Sequence, residues 1–202
     1  MNLWDRYGRK LRNLCEVGVN EPHLSQLKPW LESGEYDHAL LVEPHPVAGA
    51  NCERAFAAMR GVKVLRCAVV LNPVNPVKPR SSIETVEFID HGQSSFVASL
   101  PNSPARTNRE REDGPRFRTP CMTFDQIDPG DLDLLCVDTE GSEWAVIAAM
   151  QSNPKVIRLE THFTGSGYVN PYLGEILDRL LPIYEIVHIG PADMVFEFPG
   201  GL

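Results

Sequence analysis

Asp138, Glu140 and Glu143 follow one another off the apolar run Leu132-Asp133-Leu134-Leu135-Cys136-Val137. A second run, Lys155-Val156-Ile157-Arg158-Leu159, delivers Glu160 and then His162. If the two runs are neighbouring strands, these side chains meet at one end of a sheet. Carboxylates and an imidazole in one place suit a reaction in which a nucleophile must shed a proton. His162 is the candidate base, because imidazole titrates near neutral pH. Asp138 and Glu160 complete the candidate catalytic set by orienting the substrate. A packed histidine satisfied by a backbone carbonyl is the plainer reading of His162. A hard divalent cation would also take oxygens from Asp138, Glu140 and Glu160 with His162, but no ligand spacing supports one and no metal is expected. The stretch from Asp125 to Glu143 holds seven acidic residues and no lysine or arginine. Much of it reads as a solvated helix face.

Two more run ends carry groups of interest. Glu16-Val17-Gly18-Val19-Asn20-Glu21-Pro22 closes the first apolar run. A glycine there lets the backbone turn tightly and lets a ligand come close, although one glycine in such a turn is commonplace. Val42-Glu43-Pro44-His45-Pro46 closes the second. An acid at that point can accept both hydroxyls of a ribose, and Glu43 stands 25 residues after Gly18, close to the spacing of nucleotide-binding folds. A solvated acid at a strand end is the alternative.

The elements that must position these groups alternate. Asn13–Val17, His38–Glu43 and Val62–Val70 read as strands, with helices from Pro22 to about Glu32 and from about Val47 to Arg60 between them. Pro22 suits a first helical turn, where a missing N–H costs nothing. Such a β-α-β-α-β rhythm argues a parallel sheet with helices on its faces. Glu84–Asp90 and Gln93–Ser99 pair across His91-Gly92, a turn whose His91, Gln93, Ser94 and Ser95 can face a substrate. Residues 100–120 read as a long loop or lid, with Arg106, Arg109, Arg111, Arg116 and Arg118 in it. The alternation then resumes: the strand 132–137, a helix Ser142–Gln151, the strand 155–160, a helix Pro171–Leu181, and a closing hairpin of 183–188 with 194–198. The fold class is α/β, a single domain over 1–202. Ligands in such sheets bind beyond the carboxyl ends of the strands.

Composition narrows the field. Lys+Arg 19 against Asp+Glu 27 gives a net charge of −8, which is poorly placed to grip phosphate backbones, so nucleic acid is not an expected partner. No apolar run reaches the roughly 18 residues of a membrane span. The N-terminus has no signal pattern, and the five cysteines have neither disulfide-framework nor zinc spacing. A cytoplasmic chain without a membrane partner is expected.

Leu41-Val42-Glu43-Pro44-His45-Pro46, Thr123-Phe124-Asp125-Gln126-Ile127 and Val137-Asp138-Thr139-Glu140-Gly141-Ser142-Glu143 together resemble the FkbM-like S-adenosylmethionine-dependent methyltransferases. Arg158-Leu159-Glu160-Thr161-His162 also resembles that family's next strand end, so the likeness runs in order from about residue 13 to 165. The resemblance implies a Rossmann-like methyltransferase fold, mostly parallel, with an antiparallel C-terminal strand and helices on both faces. It implies S-adenosyl-L-methionine as cofactor. Glu16 and Gly18 would border its methionine half, with Asn20 at the matching middle position. Glu43, with Pro44 beside it, would take the ribose. Cys67 and Ala68, in the segment from Arg66, would lie near the adenine; Asp138, by its place at the strand end, would orient either the substrate or the cofactor's ammonium. Pro22 departs from the family, which has a glycine there. The implied activity is methylation of a hydroxyl on a small molecule or sugar. A non-catalytic binding protein on the same fold is the rival, and a nicotinamide-dependent oxidoreductase, lacking the spaced glycines, ranks behind both. Truncating Glu43 should barely affect folding, since the residue ends a strand.

Overall fold

The computed structural model describes residues 1–71, 84–92, 95–99, 114–161 and 170–201. A capped first turn opens the chain: Asn2 Oδ1 accepts from the amides of Trp4 and Asp5 at the start of α1 (Leu3–Tyr7), a helix the sequence pattern did not announce. Then come β1 (Asn13–Val17), α2 (Lys28–Ser33), β2 (His38–Val42), α3 (Pro46–Phe56) and β3 (Val62–Leu65). The second half supplies β8 (Leu134–Val137), α4 (Glu143–Ala149), β9 (Val156–Glu160), α5 (Leu173–Leu180), β10 (Glu185–Ile189) and β11 (Asp193–Glu197). These strands form a seven-stranded sheet in the order β10-β11-β9-β8-β1-β2-β3. From β9 to β3 every pairing is parallel. Only β11 runs the other way, inserted between β9 and β10. The expected Rossmann-like α/β architecture with its reversed C-terminal strand is therefore present.

Central parallel strands are buried on both faces and so read as unbroken apolar runs. All four residues of β8 are buried, as are four of the five in β1. On one face Cys15, Val17, Leu135, Val137, Ile157 and Leu159 pack against Val146 and Ile147 of α4 and Ile176 and Leu180 of α5. On the other, Leu14, Leu41, Leu134 and Val156 pack with Tyr7 of α1, Trp30 of α2 and Phe56 of α3. Each such side chain contributes about 1.5–3 kcal/mol on burial, which outweighs the weak intrinsic preference of a six-residue helix such as α2. Cysteines 15, 52, 67 and 136 are buried free thiols that act as small apolar fillers. Among the described residues no helix is long and apolar enough to cross a membrane.

Three expectations change. The helix expected from Pro22 starts only at Lys28, because residues 25–27 turn inward to reach the buried carboxylate of Glu16. The expected strand 62–70 breaks after Leu65. Its second piece, β4 (Ala68–Val69), joins a separate four-stranded sheet. Within that sheet β5 (Thr85–Ile89) and β6 (Phe96–Val97) form the expected hairpin, with Phe88 opposite Val97. β7 (Arg116–Met122) occupies part of what read as a lid. Arg116 and Arg118 therefore lie on a strand, bonded to Glu87 and Thr85; Arg106, Arg109 and Arg111 lie outside the described residues.

The tightest constraint lies between β1 and β8. Gly18 has φ +88°, and a Cβ there would sit 1.6 Å from the carbonyl oxygen of Asp138, with backbone on both sides. Gly18→Ala is therefore expected to destabilise by more than about 4 kcal/mol, at the extreme for single substitutions. Urea unfolding measures it, and a change within about 0.5 kcal/mol of wild type would show that this close approach is not a constraint.

Candidate active site

Register places the functional side chains in one row. Val17 stands beside Val42 and Val137, Val42 beside Leu65, and Val137 beside Leu159. The next residue on each strand is Arg66, Glu43, Gly18, Asp138 and Glu160, and Asp193 of β11 pairs with Glu160. The backbone keeps this alignment past the strand ends: Gly18 N–H donates to Val42 O, Glu43 N–H to Leu65 O and Asp138 N–H to Val17 O.

Above the row lies a cavity of about 580 Å³, within the usual range for small-molecule sites. Its wall takes in Glu16, Gly18, Asn20, Glu43 and Pro44 from the first two strand ends. Cys67 and Ala68 come from the third, and Asp138 and Glu160 from the fourth and fifth. Among the described candidates, these nine border one space, whereas Glu143 and His91 do not. His162 lies outside the described residues, as do Gln93 and Ser94.

Each buried acid is answered differently. Glu43 is 5% exposed. Its two oxygens accept the amides of Asn20 at 2.6 Å and His45 at 2.7 Å, which pins Asn20 in its left-handed conformation at φ +60°. Burial pushes its carboxyl up, while those two amides pull the other way. A carboxylate offers about four lone-pair sites, so each oxygen keeps capacity toward the cavity. Glu16, 1% exposed, accepts Ser25 Oγ at 2.6 Å and the amides of Gln26 and Leu27 at 2.9 and 3.4 Å. Burial raises it to about 7.

Glu143, grouped with Asp138 by spacing, turns the other way. It is buried and accepts the amides of Thr139 and Gly141, Thr139 Oγ1 and Asn170 Nδ2. Its work is to fold the turn, not to face a ligand. Asp138, Glu140 and Glu160 do converge, each bringing a carboxylate oxygen within 4.8 Å of the others. Desolvation first, and the neighbouring Glu160 carboxyl second, push Asp138 well above the usual carboxylate range. A second negative charge this close is disfavoured, so the pair resists full ionisation. Arg158 is the lone lysine or arginine among the described wall residues, and its Nε is held at 2.8 Å by Asp193.

Of the opposite wall, sequence reasoning named Ser95 and missed the rest. The small sheet contributes Phe88, Val97 and Phe117, and its turn contributes Gly92 and Ser95; His91 instead stacks on Phe96 at 5.6 Å. His45 joins the two sheets. Its Nδ1 accepts the amides of Val47 and Ala48 at the start of α3, which leaves Nε2–H to face Asp90 Oδ2 at 3.5 Å. The amide of Gly92, and His45 after it, hold Asp90 below its ordinary range. The available signal was His45-Pro46 itself, a side chain able to cap just before a first-turn proline.

A parallel sheet with one reversed strand near its edge, bearing a cavity on its carboxyl ends, is the Rossmann-like methyltransferase architecture. Residues 16–188 match the methyltransferase FkbM domain, and the chain belongs to that family. The crystal structure of methyltransferase FkbM from Methylobacillus flagellatus KT is similar in fold over 93% of this chain, at TM-score 0.55 and 13% identity. This chain spans 44% of that one. The ribosomal protein L11 methylase of Lactobacillus delbrueckii subsp. bulgaricus aligns over 96% of this chain and 73% of its own, at TM-score 0.47 and 9% identity. No curated protein matches the sequence.

Two outcomes test this geometry. Glu43→Ala leaves the amides of Asn20 and His45 unanswered, so it is expected to cost about 1–3 kcal/mol of stability, contrary to the untouched folding expected of a strand-end residue; unchanged urea unfolding would refute the anchoring role. Glu16 keeps, in the folded chain, a proton that the unfolded chain releases between the ordinary glutamate range and about 7. Stability therefore falls as pH rises through that window and levels above it. Relative to Glu16→Gln, the wild type should lose up to about 3 kcal/mol between pH 5 and 8. A difference that stays flat with pH would mean Glu16 is already ionised when folded.

Proposed function

We propose that this chain is an S-adenosylmethionine-dependent methyltransferase whose acceptor is a hydroxyl on a small molecule or sugar. The observation that carries the reading is the convergence of the candidate residues of five strand ends on one cavity. The wall's chemistry fits a cationic nucleoside. It is rich in carboxylates, and Gln26 Oε1, a wall acceptor, is buried without a hydrogen-bond partner, which suits an ammonium. When bound, the cofactor supplies an electrophilic methyl group on a sulfonium.

In this reading the Gly18 turn and Glu16 border the methionine half, with Asn20 fixed by Glu43. Glu43 accepts the ribose hydroxyls through its remaining lone pairs, beside Pro44, and Cys67 with Ala68 borders the base. Asp138 and Glu160 face the acceptor, whose hydroxyl has a carboxylate at hand to take its proton; His162 is the alternative base, the one singled out from the sequence. Pro22, the departure from the family pattern, favours a non-catalytic protein only if it crowds the cofactor. It lies outside the cavity wall, in the turn ahead of Leu24, so it does not obstruct the site. A nicotinamide reading still wants glycines that the turn after β1 lacks.

Parallel calorimetric titrations with S-adenosylmethionine, S-adenosylhomocysteine and NAD separate these readings. Binding of the first two with dissociation constants around micromolar, about −8 kcal/mol, and silence from NAD is the expected result. Silence from all three would favour the non-catalytic protein, and binding of NAD alone the oxidoreductase.

A further inference from the structure

Phe117 belongs to none of the motifs that drew attention to the site, yet it stands in the cavity wall. Its cross-strand partner on β5, the buried Phe88, stacks on it, nearly parallel at 10° with centroids 5.1 Å apart. Against its edge stands His45, 5.0 Å away and inclined at 75°. Phe88 is 5% exposed, whereas Phe117 is only half-buried, so Phe117 is the outer ring of the stack. The imidazole that holds its edge is itself locked by the α3 cap and Asp90. Three rings held this firmly form a rigid, flat, apolar surface.

Topology says which part of the cavity this surface serves. His45 follows Glu43 and Pro44 directly, and β7, which carries Phe117, pairs with β4 through Ala68 and Cys121. The stack therefore sits on the β2 and β3 side, next to Pro44, Cys67 and Ala68. The acids that would meet an acceptor, Asp138 and Glu160, end β8 and β9. From β2 that is two to three strands away, about 10–14 Å at the usual strand spacing. A flat aromatic surface at the ribose end, remote from those acids, suits a planar base.

We propose that Phe117, braced by Phe88 and His45, is the stacking platform for the adenine of the cofactor. This rests on the methyltransferase reading above and adds to it a residue from the inserted sheet. A base against an aromatic ring contributes through its π-face, and here the protein ring is ordered before the ligand arrives, so little side-chain freedom is lost on binding.

Calorimetry with three probes decides it: S-adenosylhomocysteine, adenosine, and S-ribosylhomocysteine, which keeps the ribose and amino-acid parts without the base. Phe117→Leu should weaken the two adenine-bearing probes between about 5-fold and 150-fold and leave S-ribosylhomocysteine unchanged. Phe117→Trp should restore adenine binding, with thermal unfolding confirming that both variants are folded. Undiminished S-adenosylhomocysteine binding in Phe117→Leu would overturn the platform, as would equal weakening of all three probes. Wild-type protein that binds no S-adenosylhomocysteine at all would instead overturn the methyltransferase reading itself.

Discussion

A buried carboxylate must be met by donors or by a proton, and this chain places five acids at one end of its sheet or just behind it. Glu16, Glu43 and Glu143 are met by backbone amides and hydroxyls, and each thereby fastens a loop. Glu16 draws in residues 25–27, Glu43 seats Asn20 and His45, and Glu143 closes the turn at 139–141 and ties it to Asn170. Asp138 and Glu160 crowd one another, which pushes the Asp138 carboxyl toward its protonated form. The loops that frame the cavity are thus shaped by the same acids that give it its polarity. Architecture and electrostatics are one arrangement here.

Much of this was legible in the sequence because it is local. An apolar run such as Leu134–Val137 or Val156–Leu159 names a strand buried on both faces, and the acid that follows names the functional end. The order of five such ends was enough to anticipate a shared site, since parallel strands align their carboxyl ends whatever the loops do.

What escaped was set by distant partners. β7 spells Arg-Phe-Arg-Thr-Pro-Cys-Met, with arginines and a proline that read as loop, and it becomes a strand because β5 lies beside it. β4 has two residues, too few for any pattern. α2 starts late because Glu16, twelve residues upstream, captures the intervening amides. Glu143 looked like a companion of Asp138 by spacing alone, but Asn170 lies 27 residues further along the chain and draws it inward. Spacing brings side chains near one another and does not say which way they turn.

His45 has a consequence for how this site can change over time. One imidazole caps the start of a helix, meets Asp90 and braces Phe117, so the inserted sheet is seated by a residue that belongs to the main β-α-β frame. The insertion is for that reason not a free module. Exchanging residues 68–122 for those of a relative would bring a new wall but not its seat, and the sheet and the position between Pro44 and Pro46 would have to be inherited together.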